Sequence, residues 1–280
     1  MSNHRCVCCI ISTLTFWLMT AMSLFASQKA RVDWKVDQHT GAMRVIETST
    51  LMDHPDLLTL TFQNISDKTI TAYAFSYQDG TTETTRYEDW FDSESGGLPN
   101  GEKSSITISV EEAMRAGKAL DILAVVFSDG SSEGVPAFIE SIEFNRLGQI
   151  VETARLKRIF REMPVNQVGD TEAKELKKKI RELPESVLKE MDGFPDMVSP
   201  EVSKDEILRG SPRALNAMLA GVRSVRENAT AQVEQMMRLP AHSQDQSEIT
   251  RGKMLEQLGQ YYENRSRAHR AYLQKTRGGK

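Results

Sequence analysis

Between residues 32 and 135 apolar and polar positions alternate with a period of two. Leu58, Leu60 and Phe62 alternate with Thr59 and Thr61, and Thr71, Tyr73, Phe75 and Tyr77 fall opposite Ile70, Ala72 and Ala74; this is the spacing of side chains along a β-strand. Turn residues interrupt the pattern at Asn64-Ile65-Ser66-Asp67, Asp79-Gly80, Gly96 to Gly101 and Asp129-Gly130. Strands are therefore expected at 32–36, 43–50, 57–64, 70–77, 103–110 and 120–127, with a short one at 87–91. The run from Ile122 to Phe127 is apolar on both faces and should be the most buried strand. Short strands joined without long helices predict an antiparallel sandwich of immunoglobulin-like size.

After Pro136 the period becomes helical. Ala173, Leu176, Ile180 and Leu183 form one stripe, and Leu215, Met218, Leu219, Val222, Val225, Ala229, Val233, Met236 and Met237 form a longer one. The longer stripe starts with Ser211 as N-cap and Pro212 at the first helical position, and Pro240 ends it after residue 239. A last helix, over 246–275, carries Leu255, Leu258, Tyr262 and Tyr272 towards one side. The short connection around Pro240 predicts that the two long helices form an antiparallel hairpin. The stripe on 212–239 is too long for a sandwich to cover, so it packs on other helices or forms a surface for a protein partner or for self-association. The expected fold class is α+β, with a β-sandwich over 28–135 and an α-helical region over 136–280.

Residues 1–27 stand apart. Arg5 precedes an uncharged run from Cys6 to Ala26, small residues follow at Ala21, Ser23, Ala26 and Ser27, and Lys29 and Arg31 close it. That order is a secretory signal peptide; the run is also long enough for an N-terminal anchor over residues 6–26. Either reading places the rest of the chain outside the cytoplasm, periplasmic or secreted, with membrane contact only through the N-terminal segment. The cysteines, Cys6, Cys8 and Cys9, all lie at the start of this run, where a lipoprotein would need one at its end. A processed chain therefore has no thiol for disulfides, nucleophilic catalysis or zinc.

With 39% hydrophobic and 26% charged residues and 9 prolines among 280 residues, the composition is that of a folded chain. Net charge is −4, against a nucleic-acid partner along the whole length. The charge is unevenly placed. Residues 32–135 carry 18 acidic and 7 basic side chains, and residues 136–280 carry 21 and 25, so an acidic sandwich is joined to a basic helical region.

Three segments carry a resemblance. Leu58 to Tyr77 (LTLTFQNISDKTITAYAFSY), Ile122 to Val135 (ILAVVFSDGSSEGV) and Gln149 to Phe160 (QIVETARLKRIF) resemble a module of exported bacterial proteins of unknown function of the acidobacterial type. The resemblance implies an exported sandwich followed by helices, and no activity.

Candidate chemistry is sparse. Gly130-Ser131-Ser132-Glu133-Gly134 fits G-x-S-x-G between a buried strand and a helix, the context of a nucleophile elbow with Ser132 as nucleophile and His242 or His269 as base. The intervening helices of a parallel sheet and an HGGG-type oxyanion segment are missing from the sequence, and Asp129-Gly130 reads equally as a tight turn. Glu88, Asp89, Asp92 and Glu94 crowd around Tyr87, Trp90 and Phe91. Carboxylates there could bind calcium and Trp90 could stack on a sugar, although the spacing is not that of an EF-hand. The histidines His39, His54, His242 and His269 form no zinc motif, and no cofactor is expected. The cations Arg265, Arg267, Arg270, Lys275, Arg277 and Lys280 suit a helix C-terminus. Asn64, Asn228 and Asn264 begin N-x-[ST] sequons. The function expected is a non-enzymatic interaction or structural module at the cell envelope; the alternative is a serine hydrolase using Ser132.

Overall fold

The computed structural model describes residues 29–31, 35–51, 56–79, 82–91, 96–109, 119–163, 168–184, 204–238 and 244–277. Their fold is α+β: two β-sheets in a sandwich-like arrangement, followed by four longer helices packed together. The strands are β1 (Lys29–Arg31), β2 (Lys35–Gln38), β3 (Met43–Leu51), β4 (Leu57–Asn64), β5 (Ile70–Asp79), β6 (Thr82–Asp89), β7 (Lys103–Ser109), β8 (Ala119–Phe127) and β9 (Ser132–Gly134). One sheet has the order β1-β3-β4-β7; the other has β2-β8-β5-β6, with β9 also paired to β8. Pairing is antiparallel except between β2 and β8.

Alternation places Leu58, Leu60 and Phe62 of β4 and Tyr73, Phe75 and Tyr77 of β5 in one core between the sheets, with Leu120, Ile122, Val125 and Phe127 of β8. Ile70, expected on the opposite face from Tyr73, joins the same core because the β5–β8 register shifts between Ile70 and Ala72, as a bulge requires. The other face of β5 and β8, built from Ala72, Ala74, Leu123, Ala124 and Val126, is covered by Phe138 and Ile142 of the first helix. From Ile122 to Phe127, strand β8 is apolar at every position because both of its faces are buried. Each such large side chain contributes about 1.5–3 kcal/mol. Strand β6 is longer than the expected 87–91 and starts earlier. Its Thr-Glu-Thr-Thr stretch lacks an apolar period and is held as a strand by its ladder to β5.

The helices are α1 (Pro136–Glu162), α2 (Asp170–Arg181), the five-residue α3 (Lys204–Leu208), α4 (Pro212–Met237) and α5 (Gln244–Arg277). Helix α4 begins as expected: Ser211 accepts a hydrogen bond from Ala214 N and Pro212 follows it. Helices α4 and α5 both lie chiefly against α1 and touch each other little. Instead of a two-helix hairpin standing alone, α1 is a shared spine. Glu140 meets Ser211, Asn145 meets the Ala217 carbonyl and Glu152 meets Arg226, so α1 and α4 run parallel. Gln149 meets Arg265 and Arg146 meets Tyr272, while Phe160 stacks on Tyr262, so α5 runs the other way. The stripe foreseen on α4 is spent inside the chain, with Val225, Ala229, Val233 and Met236 packed among Leu156, Phe160, Leu176 and Tyr262.

Where α1 and α4 cross, glycine lets the backbones touch. A Cβ on Gly148 would collide with the Met218 carbonyl oxygen, and one on Gly221 with that of Asn145. By contrast, a Cβ on Gly259 of α5 would meet only Phe160 Cβ at 3.9 Å. Gly148→Ala should therefore lower stability by about 1–3 kcal/mol through overpacking. Gly259→Ala should raise it by up to about 1 kcal/mol through helix propensity. Urea denaturation of both variants checks the pair, and equal effects of one sign would contradict the close crossing.

Candidate functional site

The end of β6 distributes five successive residues among different surroundings. Tyr87 is exposed, and half-buried Glu88 has its carboxyl pushed up by desolvation, partly offset by Arg86. Asp89 turns towards α1, Trp90 packs on the sandwich core with its ring 5.5 Å from that of Tyr73, and Phe91 enters a helical core with Leu147, Met218 and Leu273. Local hydrogen bonds set this arrangement. Trp90 N donates to the Thr71 carbonyl, and Phe91 N donates to Asp89 Oδ1, an Asx turn that takes the chain off the sheet. Asp92 and Glu94 lie outside the described residues.

At the centre stands Arg146 of α1, 1% exposed. Its Nε donates to Asp89 Oδ2 at 3.0 Å and its Nη2 to Asp89 Oδ1 at 2.8 Å, a bidentate pair. Nη2 also donates to Thr71 Oγ1, and Nη1 to the Tyr272 hydroxyl, both at 3.0 Å. The guanidinium lies 5.0 Å from the Phe91 ring and 5.4 Å from the Tyr272 ring, within cation–π range. Burial works to lower the pKa of Arg146, and the Asp89 carboxylate, with Tyr272, more than reverses it, so the cation is held charged. His269 stacks on Phe91 at 4.7 Å. Sandwich, α1 and α5 thus meet on one ion pair, and the candidate ligand-binding side chains Asp89 and Trp90 are both engaged in holding parts of the chain together.

A second buried cluster lies further along α1. Glu152, fully buried, accepts from Arg155 Nη1 at 2.9 Å and from Arg226 Nε at 2.8 Å. The same arginines donate to the Leu183 and Pro184 carbonyls beyond α2. Two carbonyls of the chain just beyond α2 are thus bound by side chains from α1 and α4. Local spacing in the sequence reveals neither cluster. The available signal was that apolar residues of α1, at Phe138, Ile142, Phe144, Leu147, Ile150, Val151, Leu156 and Phe160, fall on more than one face, so that charges set among them, such as Arg146 and Glu152, had to be buried and paired.

The Gly130–Gly134 segment comprises the end of the β8–β9 turn and strand β9 itself. Phe127 N donates to the Ser131 carbonyl, and Ser132 pairs with Val126 in the ladder. Gly130 and Gly134 have φ of 85° and 114°, while no described residue other than glycine has positive φ; the strain that a nucleophile elbow places on its serine is absent from Ser132. The neighbouring Ser131 hydroxyl donates to Asp129 Oδ1 at 2.6 Å and accepts from Lys68 Nζ at 2.8 Å. The Asp129 hydrogen bond raises the pKa of Lys68, and Lys68 in turn holds Asp129 below the usual carboxylate range. A lysine held protonated is no general base. His269 is committed to Phe91, and His242 lies outside the described residues. Among the described residues no group of three or more His, Cys, Asp and Glu is placed to hold a metal ion, and no helix is long and apolar enough to cross a membrane.

Asn64, read as a sequon, is a linchpin of the turns at this end. Its amide donates to the Lys68 and Leu98 carbonyls, its Oδ1 accepts from Ser66 N and Oγ, and the residue is fully buried.

Replacing one partner of the Arg146–Asp89 pair leaves a desolvated charge. Asp89→Ala should cost about 3–5 kcal/mol, and adding Arg146→Met should recover most of it, since apolar replacement of a buried pair is close to neutral. Guanidinium denaturation followed by near-ultraviolet circular dichroism reads both. A loss below 1 kcal/mol in Asp89→Ala would show that the joint does not depend on the pair.

No family model, curated protein or solved structure matches this chain.

Proposed function

We propose that this chain is an exported, non-enzymatic interaction or structural module of the cell envelope, a member of the exported bacterial group that its strand motifs resemble. The observation that carries the reading is where its polar chemistry is spent: Asp89, Arg146, Glu152, Arg155 and Arg226 are consumed in buried pairs that hold sandwich and helices together. That investment suits a body whose task is to keep surfaces in fixed relation. The succession of strands supports the immunoglobulin-like reading: β4 crosses to β5, β5–β6 is a hairpin, β7 returns beside β4, and β8 lies beside β5 with β9 as its hairpin partner. The opposed directions of α4 and α5 support the antiparallel helix pair. A protein partner is met through the exposed face of α4, the helix expected over 212–239, and the membrane only through the N-terminal segment.

Two measurements test this reading. N-terminal sequencing of the processed protein should find a new terminus between Ala21 and Ala30; recovery of the intact N-terminus in the membrane fraction would assign the anchored form, and recovery from the cytoplasm would remove the export reading. A fluorophosphonate probe should leave the protein unlabelled. Labelling of the wild type that is lost in Ser132→Ala would establish the hydrolase instead.

A further inference from the structure

The two sheets end in strands that differ in how their free edges are protected. Strands β1, β2 and β9 are three or four residues long, too short to template another chain. Edge strand β6 carries Glu83, Arg86, Glu88 and Asp89, and charge is the usual defence of an edge. Strand β7 has neither device. It is seven residues long, Lys-Ser-Ser-Ile-Thr-Ile-Ser, with its single charge at Lys103. It contains no proline or glycine, and among the described residues it pairs only with β4. Its inward Ile106 is only half-buried.

We infer that β7 is a self-association edge, whose occupant is β7 of a second copy running antiparallel about Ile106. The sequence is complementary to itself in that register. Ser105 faces Thr107, Ser104 faces Ile108, Lys103 faces Ser109, and the two Ile106 side chains oppose each other across the two-fold axis. The outer pairs repeat the hydroxyl contacts already present within the chain, Thr61 with Ser105 at 3.0 Å and Thr59 with Thr107 at 3.3 Å. A parallel arrangement in register would set Lys103 against Lys103, and like charges directly opposite one another are unfavourable. The half-buried Ile106 becomes covered, and the two four-stranded sheets join into one of eight strands. Seven residues a side bury less than the ~800 Å² per partner of a stable interface, so association is weak, with a Kd on the order of micromolar or above. This goes beyond the envelope reading and does not depend on it.

Sedimentation velocity of the processed chain from 5 to 500 µM, with the double variant Ser105→Lys, Thr107→Lys beside it, tests the inference. Both positions are exposed, so the monomer fold should be retained, but in the dimer each new lysine faces another across the axis. The wild type should show a concentration-dependent monomer–dimer equilibrium that the double variant weakens at least tenfold. Leu219→Glu on α4 should leave the dimer intact. A wild type that stays monomeric throughout overturns the inference. So does a dimer unaffected by the two lysines, and a dimer abolished by Leu219→Glu moves association to the helices. None of these results bears on export or on Ser132.

Discussion

A buried stretch of helix cannot carry an unpaired charge, and the middle of α1 carries three buried charges, Arg146, Glu152 and Arg155. The rest of the molecule is arranged around satisfying them. Arg146 requires Asp89 from the sandwich and Tyr272 from α5; Glu152 requires Arg226 from α4; Arg155 and Arg226 reach the chain beyond α2. Strands β5 and β6 and helices α4 and α5, which cover α1, each bring a polar group to one of these charges. An apolar spine would have been covered equally well by sliding or rotated neighbours, whereas bidentate and hydrogen-bonded pairs admit few positions.

Much of the fold was legible because its elements obey single periods. The alternation in β4 and β5, the doubly apolar β8 and the Ser211-Pro212 start of α4 all report one local cause each, and each is found where expected. Three features were not legible, for physical reasons. Strand β6 owes its conformation to pairing with β5 rather than to any pattern of its own. Helix α1 has apolar residues on more than one face, so it offers no single stripe from which its neighbours could be read. The inward turn of Ile70 follows from a bulge, a two-strand property that one strand's alternation cannot encode.

The candidate site was legible in composition and not in use. Carboxylates and aromatics did crowd at Tyr87 to Phe91, as a ligand-binding loop would have them. Their partners are Arg146, Tyr272 and His269, between 55 and 181 residues away in sequence, and nothing local names them. Likewise the G-x-S-x-G spacing reflects two glycines needed for positive φ in a hairpin: at Gly134 a Cβ would strike the Leu123 carbonyl. The same residue types serve a turn and an elbow, and only the conformation of the serine between them tells which.

The parallel run of α1 and α4 sets an order of events. Two helices in parallel contact cannot be joined by a tight turn, so after α1 the chain must travel back to Ser211, beside Glu140, before α4 can lie down. About fifty residues separate the two helices, and α5 follows later still. Contacts so distant along the chain form late. During synthesis the sandwich and α1 emerge first, with Glu152 and the Gly148 face of α1 uncovered until α4 arrives and Tyr272 supplied last of all. A growing or threaded chain therefore passes through a stage in which its spine is present and its coverings are not. That is the interval in which an exposed apolar helix is vulnerable to aggregation and in which a chaperone would be of most use.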